Sequence, residues 1–178
     1  MGNCNLGRLR SEDKGAGESI VLFRSMVGYL PMACPYFDPV RVHLAPLRHE
    51  TSPLPLGDRW MGICRAGARS PAEPDATVLH TLCHFGYARG RCPRFPMDDP
   101  GPDAVRFAIT RVAGPSLDLC FVLERDHHPF AHGLLSYSLA AGCFLSSAEG
   151  APPPEMVARQ AEAYVKSYLR RQTEASSA

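Results

Sequence analysis

The sequence predicts an α+β domain. Its N-terminal half is irregular and Cys/Pro-rich and contains one short helix. A three-stranded antiparallel meander follows, and a C-terminal amphipathic helix packs on the sheet. Three observations predict this class. Six prolines lie between residues 31 and 69, and they oppose regular helix there. Apolar residues alternate within 104–141, as in strands with one buried face. They then recur at helical spacing within 155–171.

The 178 residues suffice for one domain of ordinary size, and the 45% hydrophobic content can furnish its core. Residues 1–30, rich in Gly, Ser and charged side chains, are predicted to form a weakly ordered tail. Residues 31–172 are predicted to form the single α+β domain. Within it, a Cys-rich metal-binding layer (31–96) precedes a sheet–helix core (104–171), and residues 173–178 are expected to fray.

In the N-terminal half, short extended pieces such as Val40–Leu44 are expected between the prolines. The short helix is predicted over residues 70–86, because Ser70 and Glu73 resemble a capping box with Pro71 at the first helical position. A start at Asp75 is the alternative. The apolar stripe of this helix consists of Val78, Leu79, Leu82 and Phe85, and Gly86 supplies its C-terminal stop.

The predicted strands are Ala104–Val112, Leu117–Arg125 and Leu134–Ala141, and a Gly-Pro-Ser turn joins the first two. The last helix begins near Pro154 and Glu155, where a proline and an acidic side chain suit the first turn. Its apolar stripe continues to about Arg171.

Composition narrows the classes of function. A net charge of +1 is too small for a protein that mainly contacts nucleic acid phosphates, so nucleic acid is not a favoured partner. No apolar run reaches 18 residues, which predicts no membrane-spanning helix, and no signal peptide is recognised. We therefore expect a cytoplasmic protein. In that compartment seven cysteines point to thiols or metal rather than to structural disulfides.

Four cysteines in the first half, Cys34, Cys64, Cys83 and Cys92, are the predicted site. Cys34 and Cys92 each precede a proline, which fixes the chain's exit from a ligand, as in the Cys-Pro end of ferredoxin-type runs. Glycines near Cys64 and Cys92 let the backbone approach a bulky inorganic core. We therefore predict that the four thiolates bind an iron–sulfur cluster of the 4Fe–4S type.

Two alternatives remain open for these cysteines. Zinc is the first, with His80 and His84 as alternative contributors at helical spacing around Cys83. The absence of any Cys-x2-Cys pair argues against zinc. The second alternative is that the cysteines are small buried hydrophobes. That interpretation suits Cys120 and Cys143, in or beside strands, and Cys4 is assigned to the tail.

Arginines and aromatic residues surround the four cysteines. Arg65, Arg89, Arg91 and Arg94 are expected to neutralise a negatively charged cluster. The aromatic side chains are expected to exclude water and so to tune its potential; they are Tyr36, Phe37, Trp60, Phe85, Tyr87 and Phe95.

A histidine-rich segment, residues 124–133, joins two predicted strands. Asp126 can orient an imidazole, and His127, His128 and His132 can do acid–base work or bind a metal with a carboxylate. Because Asp, His, Pro and Gly also suit a hairpin connection, the structural interpretation is favoured.

The predicted function is an iron–sulfur protein, with electron transfer, redox sensing or structural stapling as its role, and with a redox protein as its partner. One alternative is a zinc-stabilised or metal-free interaction module. The other is an enzyme that uses the histidine segment.

Overall fold

Two antiparallel sheets and a long C-terminal helix make up the fold in the computed structural model, which describes residues 31–43, 54–67, 70–145 and 152–177. The mixed α+β class and the C-terminal helix are thus confirmed. The predicted tail at residues 1–30, with Cys4, lies outside the described residues, as does Leu44.

The first sheet joins two strands, β1 (Phe37–Val42) and β2 (Trp60–Cys64). The sequence predicted only isolated extended pieces here, because prolines and Gly62 hide the strand pattern. Gly62 is required by close packing, since a Cβ atom there would clash with the backbone carbonyl oxygen of Asp38. The register shifts between Pro39 and Arg41, at a proline that cannot donate to the ladder.

The short helix begins at Asp75, whose carboxylate accepts a hydrogen bond from the Val78 amide at 2.9 Å. The alternative start is therefore confirmed, and the start at Ser70 is wrong. Helix α1 (Ala76–Val78) continues at once into a π-helical turn, Leu79–Cys83. In that turn the amide of His84 donates to the carbonyl of Leu79 at 3.1 Å, five residues back.

The π-helical turn changes which side chains are buried after it. A π-helical turn contains one residue more than an α-helical turn. The residues after it therefore point in other directions than α-helical spacing predicts. His84, which lies outside the predicted apolar stripe, is only 2% exposed, whereas Phe85, expected in the core, is 51% exposed. The predicted apolar stripe is correct through Leu82 and wrong beyond it.

The second sheet has four strands in sequence order, β3 (Ala104–Ala113), β4 (Ser116–Arg125), β5 (His128–Ser138) and β6 (Cys143–Phe144). The predicted three-stranded meander is therefore wrong in its strand number. The fourth strand has two residues, too few for alternation to reveal.

Strand β5 begins at His128 rather than at the predicted Leu134. A two-residue turn precedes it, with Asp126 and His127 both at positive φ (49° and 63°), as in a type I′ hairpin. Phe130 is then an extra residue, because Leu123 pairs with Ala131 while Glu124 pairs with Pro129. This bulge breaks the two-residue alternation on which the prediction depended.

The C-terminal helix, α2 (Glu155–Ser176), contacts both sheets. On the small sheet, the Trp60 indole N–H donates to Ser167 Oγ at 3.0 Å. On the larger sheet, the rings of Phe107 and Tyr164 stack with their centroids 5.8 Å apart. The helix passes its predicted end at Arg171, and hydroxyl groups in its last turns bond carbonyls four residues back.

The core lies where the helix meets the two sheets. Its most deeply buried members come from all three layers, from the chain before β1 and from the segment before β2: Ala33, Phe37, Leu56, Val105, Leu117, Leu119, Ala161 and Val165. Among the described residues, no helix is long and apolar enough to cross a membrane.

Candidate metal centre

One cavity of about 180 Å³ is lined by Cys34, Cys64, Cys83 and Cys92 together. The four cysteines come from four segments: the chain before β1, the end of β2, the end of the π-helical turn, and the loop that follows it. The cavity's remaining lining divides into an apolar set, including Leu82, Ala88 and Phe95, and a charged set of Glu73, Asp75 and Arg94.

Cys34 is fixed by hydrogen bonds of its own backbone. Its amide donates to the carbonyl of Cys83 at 2.8 Å, and its carbonyl accepts from the amide of Phe37 at 3.1 Å. The same carbonyl also accepts from the side-chain amide of Gln160 at 2.8 Å, and that amide donates to the carbonyl of Phe37 at 2.6 Å. Gln160 is fully buried on α2, so the C-terminal helix positions the Cys34 loop.

Cys64 is the last residue of β2, directly across from Phe37 of β1. Its amide donates to the carbonyl of Ala72 at 2.8 Å, and its carbonyl accepts from the amide of Ala72 at 3.3 Å. The side chain is 7% exposed. The strand pair and this bridge together hold Cys64 at the cavity wall.

Cys83 ends the π-helical turn and is 6% exposed. The chain leaves it through Gly86, which has φ of +63° and lies so close to β3 that an added Cβ atom would be 2.8 Å from the Cβ of Ala104. Only glycine meets both conditions, and its contact with the sheet sets where Cys83 lies.

Cys92 lies in the loop after the π-helical turn and is partly exposed. Its amide donates to the carbonyl of Ala88 at 2.7 Å, and its carbonyl accepts from the amide of Phe95 at 3.1 Å. Pro93, the next residue, is exposed. Of the four cysteines, Cys92 is therefore the one on the solvent side of the cavity.

The environment of these thiols disfavours their charged form. Burial raises the pKa of Cys34, and the neighbouring Cys83, Cys64 and Cys92 raise it further. Burial likewise raises the pKa of Cys83 to about 12, with Cys64, Cys92 and Asp75 adding to the effect. Without a cation the thiols of Cys34 and Cys83 are neutral at pH 7. To become ligands they must lose their protons, which requires a positively charged group between them.

One of the four arginines predicted near the cysteines lines the cavity. Arg94 donates from Nη2 to the carbonyl of Ser70 at 2.7 Å, and its buried Nε has no hydrogen-bond partner among the described residues. Arg65 pairs with Asp38 and Arg89 with Asp103. Arg91 is exposed and lies outside the lining. Of these four arginines, Arg94 is thus the one that lines the cavity.

Neither histidine proposed as an alternative contributor lines the cavity. His84 is buried, with Nε2 at 3.0 Å from the carbonyl of Trp60 and its ring edge-on to Phe37. Burial lowers the pKa of His84 to about 4. Burial also lowers the pKa of His80.

Of the aromatic residues expected to exclude water, Phe95 lines the cavity. Tyr36 packs edge-on against Phe95 with ring centroids 5.1 Å apart. Phe37 and Trp60 are buried in the core instead. Phe85 is half-exposed and shields nothing there.

No set of three or more His, Cys, Asp or Glu side chains in the described part of the chain closes around a point as ligands of a single metal ion do. The four cysteines line one cavity, but among the described residues their side chains form no group that could hold a metal ion.

The histidines of residues 124–133 do not form one site. His127 lies in the hairpin turn and stacks on Tyr87 with ring centroids 3.9 Å apart. His128 and His132 are exposed on β5. A second, more open cavity of about 330 Å³ lies beside the His127 turn, and Arg89 and Asp103 are among its lining residues. These two are already paired at 2.6 Å.

Gln160 was not foreseen from the sequence. It is a polar residue on the buried face of a helix. Such a residue indicates a buried hydrogen bond, because a fully buried amide needs partners. The sequence alone does not reveal that the partners are the carbonyls of the Cys34 loop.

No family model, curated protein or solved structure matches this chain.

Proposed function

We propose that this protein binds a 4Fe–4S iron–sulfur cluster through Cys34, Cys64, Cys83 and Cys92 and uses it for electron transfer. One observation carries the proposal: four cysteines from four separate segments line a single cavity of about 180 Å³.

The size of that space favours a cluster over zinc. With Zn–S bonds of about 2.3 Å, four tetrahedral thiolates lie roughly 3.8 Å from one another. Liquid water takes roughly 30 Å³ per molecule, so the cavity has room for several atoms. A cluster of iron and sulfide places its thiolates farther apart than one ion does.

The charges around the cavity suit an anionic cluster. The guanidinium of Arg94, which lines the cavity, supplies a positive charge beside an anionic cluster, and nearby charge adjusts a cluster's potential. The iron ions supply the positive charge that the buried thiolates of Cys34 and Cys83 require.

The position of Cys92 supports electron transfer as the role. Three ligands are buried, and the partly exposed Cys92 places one corner of the cluster near solvent. Electrons can therefore reach the cluster from a redox partner protein that docks at this loop. The cluster also links the four segments that carry its ligands, so it stabilises the N-terminal layer.

Metal and sulfide analysis of protein purified without oxygen tests the proposal. We expect about four irons and four sulfides per chain and a brown protein that absorbs visible light. Stoichiometric zinc without colour favours a zinc-stabilised module, and a fully folded protein with neither metal favours a metal-free one. Either result overturns the proposal.

A further inference from the structure

Cys34 and Cys83 are joined directly through their backbones. The amide of Cys34 donates to the carbonyl of Cys83 at 2.8 Å. Such a hydrogen bond brings the two Cα atoms to about 5.5 Å, as in a hydrogen-bonded pair on antiparallel strands. Disulfide bonds join cysteines whose Cα atoms are about 4.4–6.8 Å apart. The fold therefore holds the backbones of Cys34 and Cys83 at a separation that a disulfide can span.

The side chains of these two residues also converge. Both are free thiols, and both line the same cavity. Burial raises the pKa of Cys34, and among the neighbouring thiols that of Cys83 raises it most. Because the interaction of two charges grows as the distance between them falls, this order agrees with Cys83 as the nearest thiol to Cys34.

The other two cysteines of the cavity are attached differently. The backbones of Cys64 and Cys92 make no hydrogen bond to another cysteine in the part of the chain that the structure describes. Those of Cys92 stay within its own loop. Of the possible pairs among the four, Cys34 with Cys83 therefore needs the least movement of the backbone to form a disulfide.

We propose that Cys34 and Cys83 form a disulfide when the chain without bound metal meets a low-molecular-weight disulfide such as oxidised glutathione. One of the two thiolates attacks a glutathione sulfur, so that a mixed disulfide forms and one glutathione leaves as the old S–S bond breaks. The second thiolate attacks the protein sulfur of the mixed disulfide, and the second glutathione leaves. Cys34 and Cys83 lose two electrons and two protons, which convert one oxidised glutathione into two thiols.

The disulfide is a property of the two thiols alone and does not depend on the proposed cluster. It joins the loop before β1 to the π-helical turn, two segments that lie far apart in the sequence, and so restricts the unfolded chain. While it is present, Cys34 and Cys83 have no thiolate to offer a metal. The pair therefore gives the cavity a redox-sensitive state.

Peptide mapping after equilibration in a glutathione redox buffer tests the inference. Full-length protein is first reduced and freed of metal with a chelator, and exchange through mixed disulfides then selects the least strained pair. Trypsin places each of the seven cysteines on its own peptide, so mass spectrometry without reduction identifies every pair. We expect peptide 25–41, which carries Cys34, to be joined to peptide 70–89, which carries Cys83. This cross-link should be roughly tenfold more abundant than any other pair among the four, because distorted disulfides are less stable.

Two variants separate this pair from the others. Cys34→Ser should abolish the cross-link and leave Cys83 open to alkylation after unfolding. Cys64→Ser, which removes another cysteine of the same cavity, should leave the cross-link unchanged.

A dominant cross-link between any other pair of the four, or alkylation of both Cys34 and Cys83 in the equilibrated wild type, overturns the inference and leaves the proposed function intact. A protein that binds no iron and sulfide overturns the proposed function, and the disulfide is then still expected. The wild-type peptide map decides the matter even if a variant fails to fold.

Discussion

The backbone amide of Cys34 donates to the backbone carbonyl of Cys83 at 2.8 Å, which joins two predicted ligands that lie far apart in the sequence. The loop before β1 and the end of the π-helical turn are therefore held together by the fold, before any metal is considered. The side-chain amide of Gln160 binds the carbonyl of the same Cys34, so the C-terminal helix takes part in this junction.

We predict that Gln160→Leu destabilises the protein by about 2–4 kcal/mol, because two buried carbonyls lose their donor. It should also lower the iron content, since the Cys34 loop is no longer fixed. Urea unfolding and iron analysis measure the two effects. Glu162→Gln is the control, since it removes only an exposed ion pair with Lys166 and should change stability by less than about 0.5 kcal/mol. Equal effects of the two substitutions would refute the positioning role.

We predict that Arg94→Gln lowers the reduction potential of the cluster. Reduction adds negative charge, and the lost guanidinium no longer stabilises it. The expected decrease is roughly 50 mV, which corresponds to about 1 kcal/mol for one electron. Redox titration followed by visible absorption gives the value. Arg91→Gln removes the same charge from an exposed position outside the cavity lining, and it should shift the potential much less. A larger shift in Arg91→Gln would show that Arg94 does not contact the cluster.

We predict that Gly86→Ala destabilises the fold more than Gly90→Ala. Both glycines have positive φ, +63° and +73°, so each substitution costs about 1–2 kcal/mol of backbone energy. The Gly86 substitution also forces a Cβ atom to 2.8 Å from the Cβ of Ala104, whereas nothing lies within 4 Å at Gly90. Urea unfolding of the pair isolates the steric contribution. Equal losses would mean that Gly86 does not approach β3 closely.

We predict that the free energy of unfolding falls with acid as His84 becomes protonated. Its pKa is lowered to about 4 by burial, against 6.5 for the unfolded chain. The unfolded state thus binds the extra proton first, so this contribution is complete above about pH 6.5 and is lost as the pH falls toward 4. The full loss is about 3 kcal/mol. Urea unfolding between about pH 7 and pH 4 should show a smaller slope in His84→Gln than in wild type. The exposed His132→Gln serves as control and should keep the wild-type slope.

The spacing of apolar residues predicted the sheet and the last helix. This prediction is correct where a strand or helix is long and regular. Strands β3 and β4 and helix α2 have this property. It failed at β2, where Gly62 interrupts the pattern, and at β5, where the Phe130 bulge shifts the alternation. It also failed after Leu82, because periodicity assumes an α-helix and the chain forms a π-helical turn.

For the candidate site, residue chemistry led to the four cysteines, because Cys-Pro steps and neighbouring glycines separate them from Cys120 and Cys143. Cys143 is disulfide-bonded, so the predictions of a small buried hydrophobe at this position and of cysteines without structural disulfides are wrong for this residue. The common cavity of the four cysteines could not be foreseen, since it depends on tertiary contacts such as that between Gln160 and Cys34. The arginine prediction was broader than the structure supports. Arg65 and Arg89 carry the same charge as Arg94, but they pair with Asp38 and Asp103.

Iron and sulfide content across single Cys→Ser variants tests the central proposal most directly. Cys34→Ser, Cys64→Ser, Cys83→Ser and Cys92→Ser should each lose much of the cluster. Cys120→Ser, which changes a buried cysteine outside the cavity lining, should keep the wild-type content. Absence of iron and sulfide from the anaerobically purified wild-type protein, or equal losses in all five variants, would contradict the assignment of these four cysteines as cluster ligands.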